Sequence, residues 1–282
     1  IDLDALIAFD LESSAARILS GLGKPDDTVP FVHPTLLAVD AAGGTAWVLD
    51  GAYEGLVAVD LVTGKRTVVP NSDSDLIVSI KGSHSDRPFH MPMDMIFNPG
   101  GQNVLVVMQV INPVVSPRPE GYELQTNRII AIDPDSGRRT IFVDEQTPDE
   151  DHPVYTLGRI AFDPAGYRLI ATTKNSSAGF YEIDPVTGER SVLVAGMYII
   201  AEDIELDPDQ ARLLTVSGNK LGALDLVTAE LSDLSTSSFF YDASAIAVDN
   251  MNNRVLVMFY GSSDIGAVDL STGEESIIFS GK

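Results

Sequence analysis

The twelve residues "AVDLVTGKRTVV" at 58–69 decide the fold, because close copies of them recur along the chain. The copies read "AIDPDSGRRTIF" at 131–142, "EIDPVTGERSVL" at 182–193 and "AVDLSTGEESII" at 267–278. Each has a short apolar run, an aspartate, a Ser/Thr-Gly turn and a second run of alternating apolar residues. Alternation of period two on both sides of a turn is typical of a β-hairpin. We call this repeated unit the outer hairpin.

Two residues of the outer hairpin explain its turn. The aspartate accepts hydrogen bonds from backbone N–H groups, and the glycine four residues later adopts a positive φ without steric cost. The chain departs from this pattern at Ser14 and Ala229, which occupy the glycine position. The aspartates are Asp10, Asp60, Asp133, Asp184, Asp225 and Asp269, and the glycines are Gly64, Gly137, Gly188 and Gly273.

A second repeated unit, the inner hairpin, precedes all but the first of the outer hairpins. It reads "LLAVDAAGGTAWVLD" at 36–50, an apolar strand, an acidic turn and another apolar strand. Two hairpins in series form a four-stranded antiparallel sheet, which is one blade of a β-propeller. The other inner hairpins occupy 95–109, 159–173, 203–217 and 245–259, and the turn acids or amides of all five are Asp40, Asn98, Asp163, Asp207 and Asp249.

The repeats predict an all-β chain, 1–282, that forms a single six-bladed β-propeller domain of four-stranded antiparallel blades. Residues 1–20 supply an outer hairpin without an inner one, so the N-terminal blade is incomplete in this chain. We expect the missing strands to precede Ile1 in a longer chain or assembly; a five-bladed ring with a spare hairpin is the alternative. The predicted complete blades are about 36–70, 93–143, 157–195, 201–235 and 243–280.

The recurring Ala-Val-Asp and Ser/Thr-Gly spacing resembles the six-bladed propellers of the NHL, YWTD and gluconolactonase-like families. The resemblance covers almost the whole chain and implies the fold, which carries many unrelated functions. In gluconolactonase-like propellers, one metal is held at the axis by Glu, two Asn and Asp from four blades. Here, no clear asparagine pair is present. Carboxylates near the starts of innermost strands suit Ca²⁺ or another divalent cation, which prefers oxygen ligands: Asp94, Glu202, Asp203 and Asp242.

Composition excludes several classes of partner. The formal charge is −23, from 18 basic and 41 acidic residues. Phosphate backbones and anionic membrane surfaces repel such a chain, so we expect no nucleic acid partner. No apolar run approaches the roughly 20 residues that span a bilayer, which argues against membrane insertion. The chain has no cysteine and therefore no disulfide. We expect an extracellular or periplasmic location.

The longest loops are predicted to lie on one face. Strands of a blade alternate in direction, so the loop between the second and third strands and the loop between blades leave at the same end. Loops 71–92, 109–127 and 143–157 are the long ones, and loops of such length are commonly functional. Padding over a hydrophobic opening is the alternative. The candidate ligand-binding residues on this face are His33, Phe89, His90, Asp94, Tyr122 and His152.

Two functions follow from these features. The first is a binding or scaffold module that presents its loop-rich face to a protein or other ligand. The second is a metal-dependent hydrolase or lactonase that acts at the mouth of the central channel. A histidine beside a carboxylate could be a metal site or a general acid–base pair, and scattered surface histidines are the alternative. The sequence contains no P-loop and no G-x-S-x-G nucleophile motif, so whether the protein is an enzyme stays open.

Overall fold

The computed structural model describes residues 5–13, 15–21, 23–25, 28–70, 89–111, 125–144, 147–148, 157–173, 178–195 and 201–280. These residues form 22 β-strands and three 3₁₀ turns, at Pro208–Gln210, Ser238–Phe240 and Asn250–Asn252. The regular secondary structure of these residues is therefore almost entirely β, as the period-two alternation predicts. No helix in these ranges has the length and apolar character that crossing a membrane requires.

The strands form one two-stranded sheet and five four-stranded antiparallel sheets, each built from consecutive strands. The two-stranded sheet contains β1 (Ala5–Asp10) and β2 (Ala15–Gly21). Sheet 1 contains β3 (Pro34–Asp40), β4 (Thr45–Asp50), β5 (Gly55–Asp60) and β6 (Arg66–Val68). Sheet 2 contains β7 (Phe89–Asn98), β8 (Asn103–Ile111), β9 (Gln125–Ile132) and β10 (Arg139–Val143).

The three remaining sheets have the same order. Sheet 3 contains β11 (Leu157–Asp163), β12 (Arg168–Thr173), β13 (Ala178–Ile183) and β14 (Arg190–Ala195). Sheet 4 contains β15 (Asp203–Asp207), β16 (Arg212–Ser217), β17 (Lys220–Asp225) and β18 (Leu231–Thr236). Sheet 5 contains β19 (Ala243–Asp249), β20 (Arg254–Phe259), β21 (Ile265–Asp269) and β22 (Glu275–Phe279). In each sheet the inner hairpin supplies the first two strands and the outer hairpin the last two.

The prediction of four-stranded antiparallel blades is confirmed for five sheets. The described residues form five complete blades and not the six predicted. The N-terminal residues among them form only the outer hairpin of a further blade. The predicted loop 109–127 is also shorter than expected. β8 continues to Ile111 and β9 begins at Gln125, since residues 109–111 pair with residues 125–127 as strands.

The outer turns have the expected geometry. The Asp60 carboxylate accepts hydrogen bonds from the Thr63 N–H at 2.7 Å and the Val62 N–H at 3.0 Å, and these bonds, that of Thr63 first, hold the pKa of Asp60 below its ordinary value. Gly64 has a φ of +73°, in the left-handed region. Ala229 adopts a φ of +58° in the same turn of sheet 4, so the departure in sequence leaves the turn type unchanged.

In three of the inner turns, the turn acid forms an ion pair with an arginine five residues later. The Nε of Arg212 lies 2.8 Å from the Asp207 carboxylate, and Arg254 makes the same contact with Asp249 at 2.8 Å. Arg168 contacts Asp163 at 3.0 Å and also reaches Glu182 on β13 at 2.7 Å. These partly buried pairs join the two strands of the hairpin next to the turn, in sheets 3, 4 and 5.

The chain divides into two compact units. Unit 1 comprises Ile1–Leu157 and Pro185–Glu189, and unit 2 comprises Gly158–Asp184 and Arg190–Lys282. In unit 1, the two-stranded sheet packs on sheet 1, and sheet 1 packs on sheet 2 through apolar side chains such as Leu49 and Val106. The Arg66 guanidinium contributes to the first of these contacts, since its Nη1 donates to Ser20 Oγ and the Lys24 carbonyl, both at 2.9 Å.

Unit 2 is a stack of three sheets. Sheet 3 packs on sheet 4 through a cluster that includes Phe180 and Ile204. Sheet 4 packs on sheet 5 through a second cluster that includes Val216 and Phe240. Phe239 adds edge-to-face ring contacts to Phe240 and Phe259, with centroid distances of 5.5 and 5.2 Å. In both units the cores therefore lie between successive sheets, and each sheet depends on its neighbours for burial.

Candidate binding surfaces

Sheet 2 is longer than the other four-stranded sheets at its loop-bearing end. Its first three strands have 10, 9 and 8 residues, whereas the corresponding strands of the other four have five to seven. The added residues are 89–91, 109–111 and 125–127, which we call the sheet 2 extension. Phe89 pairs with Ile111, and Ile111 pairs with Gln125.

The edges of this extension are open among the described residues. β7 is the first strand of its sheet and pairs only with β8. On the other side, β10 pairs with Ile129–Ile132 and does not reach residues 125–127. Backbone groups at such an edge are available to another strand. Met91 is 36% exposed beside it, so an apolar side chain accompanies the open backbone.

Asn127 lies at the base of the extension and is almost fully buried. Its Nδ2 donates a hydrogen bond to the carbonyl of Leu157. Its Oδ1 accepts none from the described residues. A buried acceptor left without a donor costs free energy. A water molecule or an N–H group of a ligand would therefore be stabilised next to this atom.

The structure places the predicted face residues in different settings. Phe89 and His90 lie in the β7 strand of the extension, with backbones opposite Ile111 and Val110; their side chains are outside the described part. Tyr122 and His152 lie outside the described residues. The proposed convergence of these side chains thus stays a prediction.

His33 is exposed and belongs to a segment that a buried carboxylate fixes in place. Asp50, at the end of β4, accepts hydrogen bonds from the backbone N–H groups of Val32 at 2.8 Å, His33 at 3.1 Å and Ala52 at 2.9 Å. The Gly51 N–H in turn donates to the His33 carbonyl at 3.0 Å. Sequence reasoning named His33 and missed Asp50, which orients it; the sequence signal is a lone acid at the end of an apolar strand.

The predicted cation ligands near the strand starts also contact the backbone. Asp94 Oδ1 accepts from the Met95 N–H at 2.8 Å. Asp203 accepts from the Ile204 N–H at 3.0 Å and from the Ile246 N–H at 2.8 Å. The second bond connects β15 of sheet 4 to β19 of sheet 5, so Asp203 holds these two strands together.

Burial raises the pKa of Asp203, while the N–H of Ile246 and the charge of Arg159 act in the opposite direction. Glu202 and Asp242 are exposed. Among the described residues, no group of three or more His, Asp or Glu side chains is arranged to hold a metal ion. Both oxygens of Asp203 already accept N–H groups, which suits a structural role better than metal ligation. A Ca²⁺ site at these carboxylates therefore stays a prediction.

A cavity of about 220 Å³ opens between the two-stranded sheet and sheet 1. The Asp50-bound segment forms one wall of it through Phe31. The first strand of sheet 1 forms another, and on this strand Leu37 and Val39 are exposed. The sequence did not predict this cavity, although the missing inner hairpin of residues 1–20 is the signal for it. Its lining residues are Ala5, Leu6, Phe31, Pro34, Thr35, Leu36, Leu37 and Val48.

Solved structures show which fold these sheets build. The chain matches no protein-family model and no curated protein in sequence. It is similar in structure to a YWTD β-propeller from the nidogen/laminin complex, with a TM-score of 0.66, 14% identity and coverage of 97% of this chain and 89% of that one. The protein is therefore a β-propeller.

Two further neighbours support the fold and differ in function. A gluconolactonase from Xanthomonas campestris aligns with a TM-score of 0.56 and 15% identity, over 90% of this chain and 75% of that one. The extracellular domain of a one-component system from B. thetaiotaomicron aligns with a TM-score of 0.53 and 13% identity, over 91% of this chain and 29% of that one. At these identities the likeness shows the fold alone, as the resemblance in the sequence predicts.

Proposed function

We propose that the protein is an extracellular or periplasmic binding module whose loop-bearing end of unit 1 recognises a protein partner. The sheet 2 extension is the observation that carries this proposal. It projects three paired strands beyond the length of the corresponding strands in the other sheets. Neighbours from a protein complex and an extracellular domain are in keeping with this class.

The extension suits a polypeptide better than a small molecule. Its two open edges offer backbone N–H and C=O groups, which an extended segment of a partner pairs with by adding a strand. Met91 beside one edge provides apolar contact. Because the chain carries a net charge of −23, long-range attraction favours a basic partner surface.

Site-specific photo-crosslinking tests this proposal. A benzoylphenylalanine at Met91 is expected to capture a discrete partner from an extract of the source cells, and the capture should weaken at high salt. The matched control carries the same residue at Val62, an exposed apolar position in the turn between β5 and β6. Equal capture at both positions would place binding elsewhere or show it to be non-specific. Identified partners are then mixed as purified proteins to measure Kd.

A second candidate is the metal-dependent hydrolase or lactonase, favoured by the gluconolactonase neighbour. It would use carboxylates near the strand starts, among them Asp94 and Asp242. The test is melting of the purified protein with Ca²⁺, Mn²⁺ or Zn²⁺ and with EDTA, beside an assay of lactone hydrolysis. Stoichiometric metal and hydrolysis that Asp242→Asn abolishes would support the enzyme. Identical melting curves without turnover would eliminate it.

A further inference from the structure

The residue that follows the second strand of sheet 5 differs from its counterparts in sheets 1 and 4. Those sheets have a glycine at this position, Gly51 after β4 and Gly218 after β16. Sheet 5 has Tyr260 after β20, and its side chain is 85% exposed. Positions at which a chain departs from its own repeat are where function is expected. A large aromatic side chain that contributes so little burial to the fold is therefore a candidate for contact with another molecule.

A second exposed tyrosine comes from the segment that adjoins Tyr260. Tyr241 is 76% exposed, and the N–H of Tyr260 donates a hydrogen bond to the carbonyl of the next residue, Asp242, at 2.7 Å. The core fixes both segments, because Phe240 is fully buried between sheets 4 and 5 and Phe259 packs against the same cluster. The two tyrosines therefore project from a backbone that is held in place, which lowers the entropy lost when they contact a partner.

Exposed carboxylates border the two tyrosines. Asp242 follows Tyr241 directly, and Glu202 precedes β15 as Asp242 precedes β19; both acidic residues are exposed. β15 and β19 lie side by side, since the Asp203 carboxylate accepts the Ile246 N–H at 2.8 Å. The whole chain carries a net charge of −23. Two aromatic rings of unit 2 thus lie beside negative charge, which is the chemistry that attracts a cationic group.

We propose that Tyr241, Asp242 and Tyr260, which we call the tyrosine surface, bind arginine side chains of a basic polypeptide. A guanidinium group stacks on the face of a tyrosine ring and is attracted by the negative charge of that face. The same group donates charge-assisted hydrogen bonds to a carboxylate, here that of Asp242. Tyrosine and arginine are enriched among the residues that dominate the binding energy of protein interfaces. The surface belongs to unit 2 and is additional to the partner site proposed for unit 1.

Peptide binding to the intact chain tests this proposal. The probe is a labelled peptide of alternating glycine and arginine, and its matched control carries uncharged citrulline at every arginine position. Fluorescence anisotropy is expected to show that the citrulline peptide binds about tenfold more weakly than the arginine peptide. Tyr241→Ala and Tyr260→Ala should each raise the Kd of the arginine peptide about threefold to tenfold, whereas Tyr260→Phe keeps the ring face and should change it less than about twofold.

Two control variants are matched to these changes. Met251→Ala removes a side chain that is 91% exposed in the turn at the other end of β20, and it should leave the Kd unchanged. Asp209→Asn removes the same charge as Asp242→Asn, from the exposed turn of sheet 4. Asp242→Asn should therefore raise the Kd more than Asp209→Asn does. Equal melting temperatures of the variants verify that each of them is folded.

Other outcomes overturn the proposal. Equal binding of the two peptides would show that the surface does not recognise positive charge. Equal Kd values for the tyrosine variants and Met251→Ala, or equal effects of Asp242→Asn and Asp209→Asn, would show that net charge alone attracts the peptide. A wild-type chain that binds neither peptide would show that the surface takes no arginine. All of these variants lie in unit 2, so the results are independent of partner capture at the sheet 2 extension.

Discussion

Sheets 1 and 4 carry the same sequence pattern in different surroundings. Leu37 of sheet 1 and Ile204 of sheet 4 occupy one position of the repeat and are similar in size and polarity. Ile204 packs between sheets 3 and 4 with Ala161 and Phe180, whereas Leu37 is 48% exposed. The pattern thus specifies the strand and its apolar face, and the neighbouring sheet determines whether that face contributes to stability.

The outer turns differ in the same way. Gly137 and Gly273 have nearly the same φ, +71° and +73°. A Cβ at Gly137 would lie 1.5 Å from the Pro70 carbonyl oxygen, while a Cβ at Gly273 would meet nothing within 4 Å. Equivalent glycines therefore differ in how close another segment approaches.

The largest expected effect comes from these turns. Gly137→Ala should destabilise the protein by about 3–5 kcal/mol, because the left-handed backbone and a backbone clash both oppose it. Gly273→Ala should cost only about 1 kcal/mol, the penalty of the left-handed conformation. Urea denaturation of both variants measures the difference. Similar losses would mean that the approach of Pro70 to the turn is not rigid.

The next largest loss of stability is expected from truncating apolar side chains on the innermost strands. Ile204→Ala should cost about 2–4 kcal/mol, since it leaves a cavity in a packed core. Leu37→Ala should cost less than about 1 kcal/mol, because the side chain is half exposed. Denaturation of the two variants gives the comparison, and a large loss at Leu37 would show that its strand is covered after all.

Removing the buried carboxylate of Asp50 in sheet 1 should lower the free energy of unfolding by a smaller but measurable amount. Asp50→Ala removes the acceptor of three backbone N–H groups and should cost about 2 kcal/mol. The control is Asp40→Ala on the same sheet, where the carboxylate accepts the Gly43 N–H at 2.9 Å near the surface and no second N–H of the described residues. A loss below about 1 kcal/mol is expected. Thermal melting compares the pair. An equal effect at Asp40 would contradict the role of Asp50 in fixing the segment before β3.

Much of this fold could be predicted from local signals. The Asp and Gly of the outer turns act within a few residues, so Asp60 and Gly64 were recognisable without a structure. The apolar run from Leu36 to Val39 likewise indicated a strand. Contacts between neighbouring sheets, in contrast, join residues that are far apart in the sequence. For that reason the exposure of Leu37, the Ile246 bond to Asp203 and the Asp50 network were not predictable from spacing alone.

Two aspartates of unit 2 should respond to pH in opposite directions. Burial raises the pKa of Asp203 above the ordinary value of 3.8, so the folded state binds the proton more tightly than the unfolded chain does. Its contribution to stability is greatest below pH 3.8 and falls as the pH rises through the raised pKa. Asp225 has a lowered pKa because its carboxylate accepts the N–H groups of Thr228 and Val227. Its contribution is present above pH 3.8 and falls as the pH drops through the lowered pKa.

The difference in free energy of unfolding between wild type and each Asn variant isolates these contributions. For Asp203→Asn, the advantage of the wild type should decrease from acidic pH towards neutrality, and for Asp225→Asn it should increase over the acid range. Denaturation at several pH values from acid to neutral measures both. Slopes of the same sign would contradict the buried position of Asp203. A flat profile at Asp203 would mean that the Ile246 N–H and Arg159 fully offset its burial, so that the bond between β15 and β19 forms without a cost in ionisation.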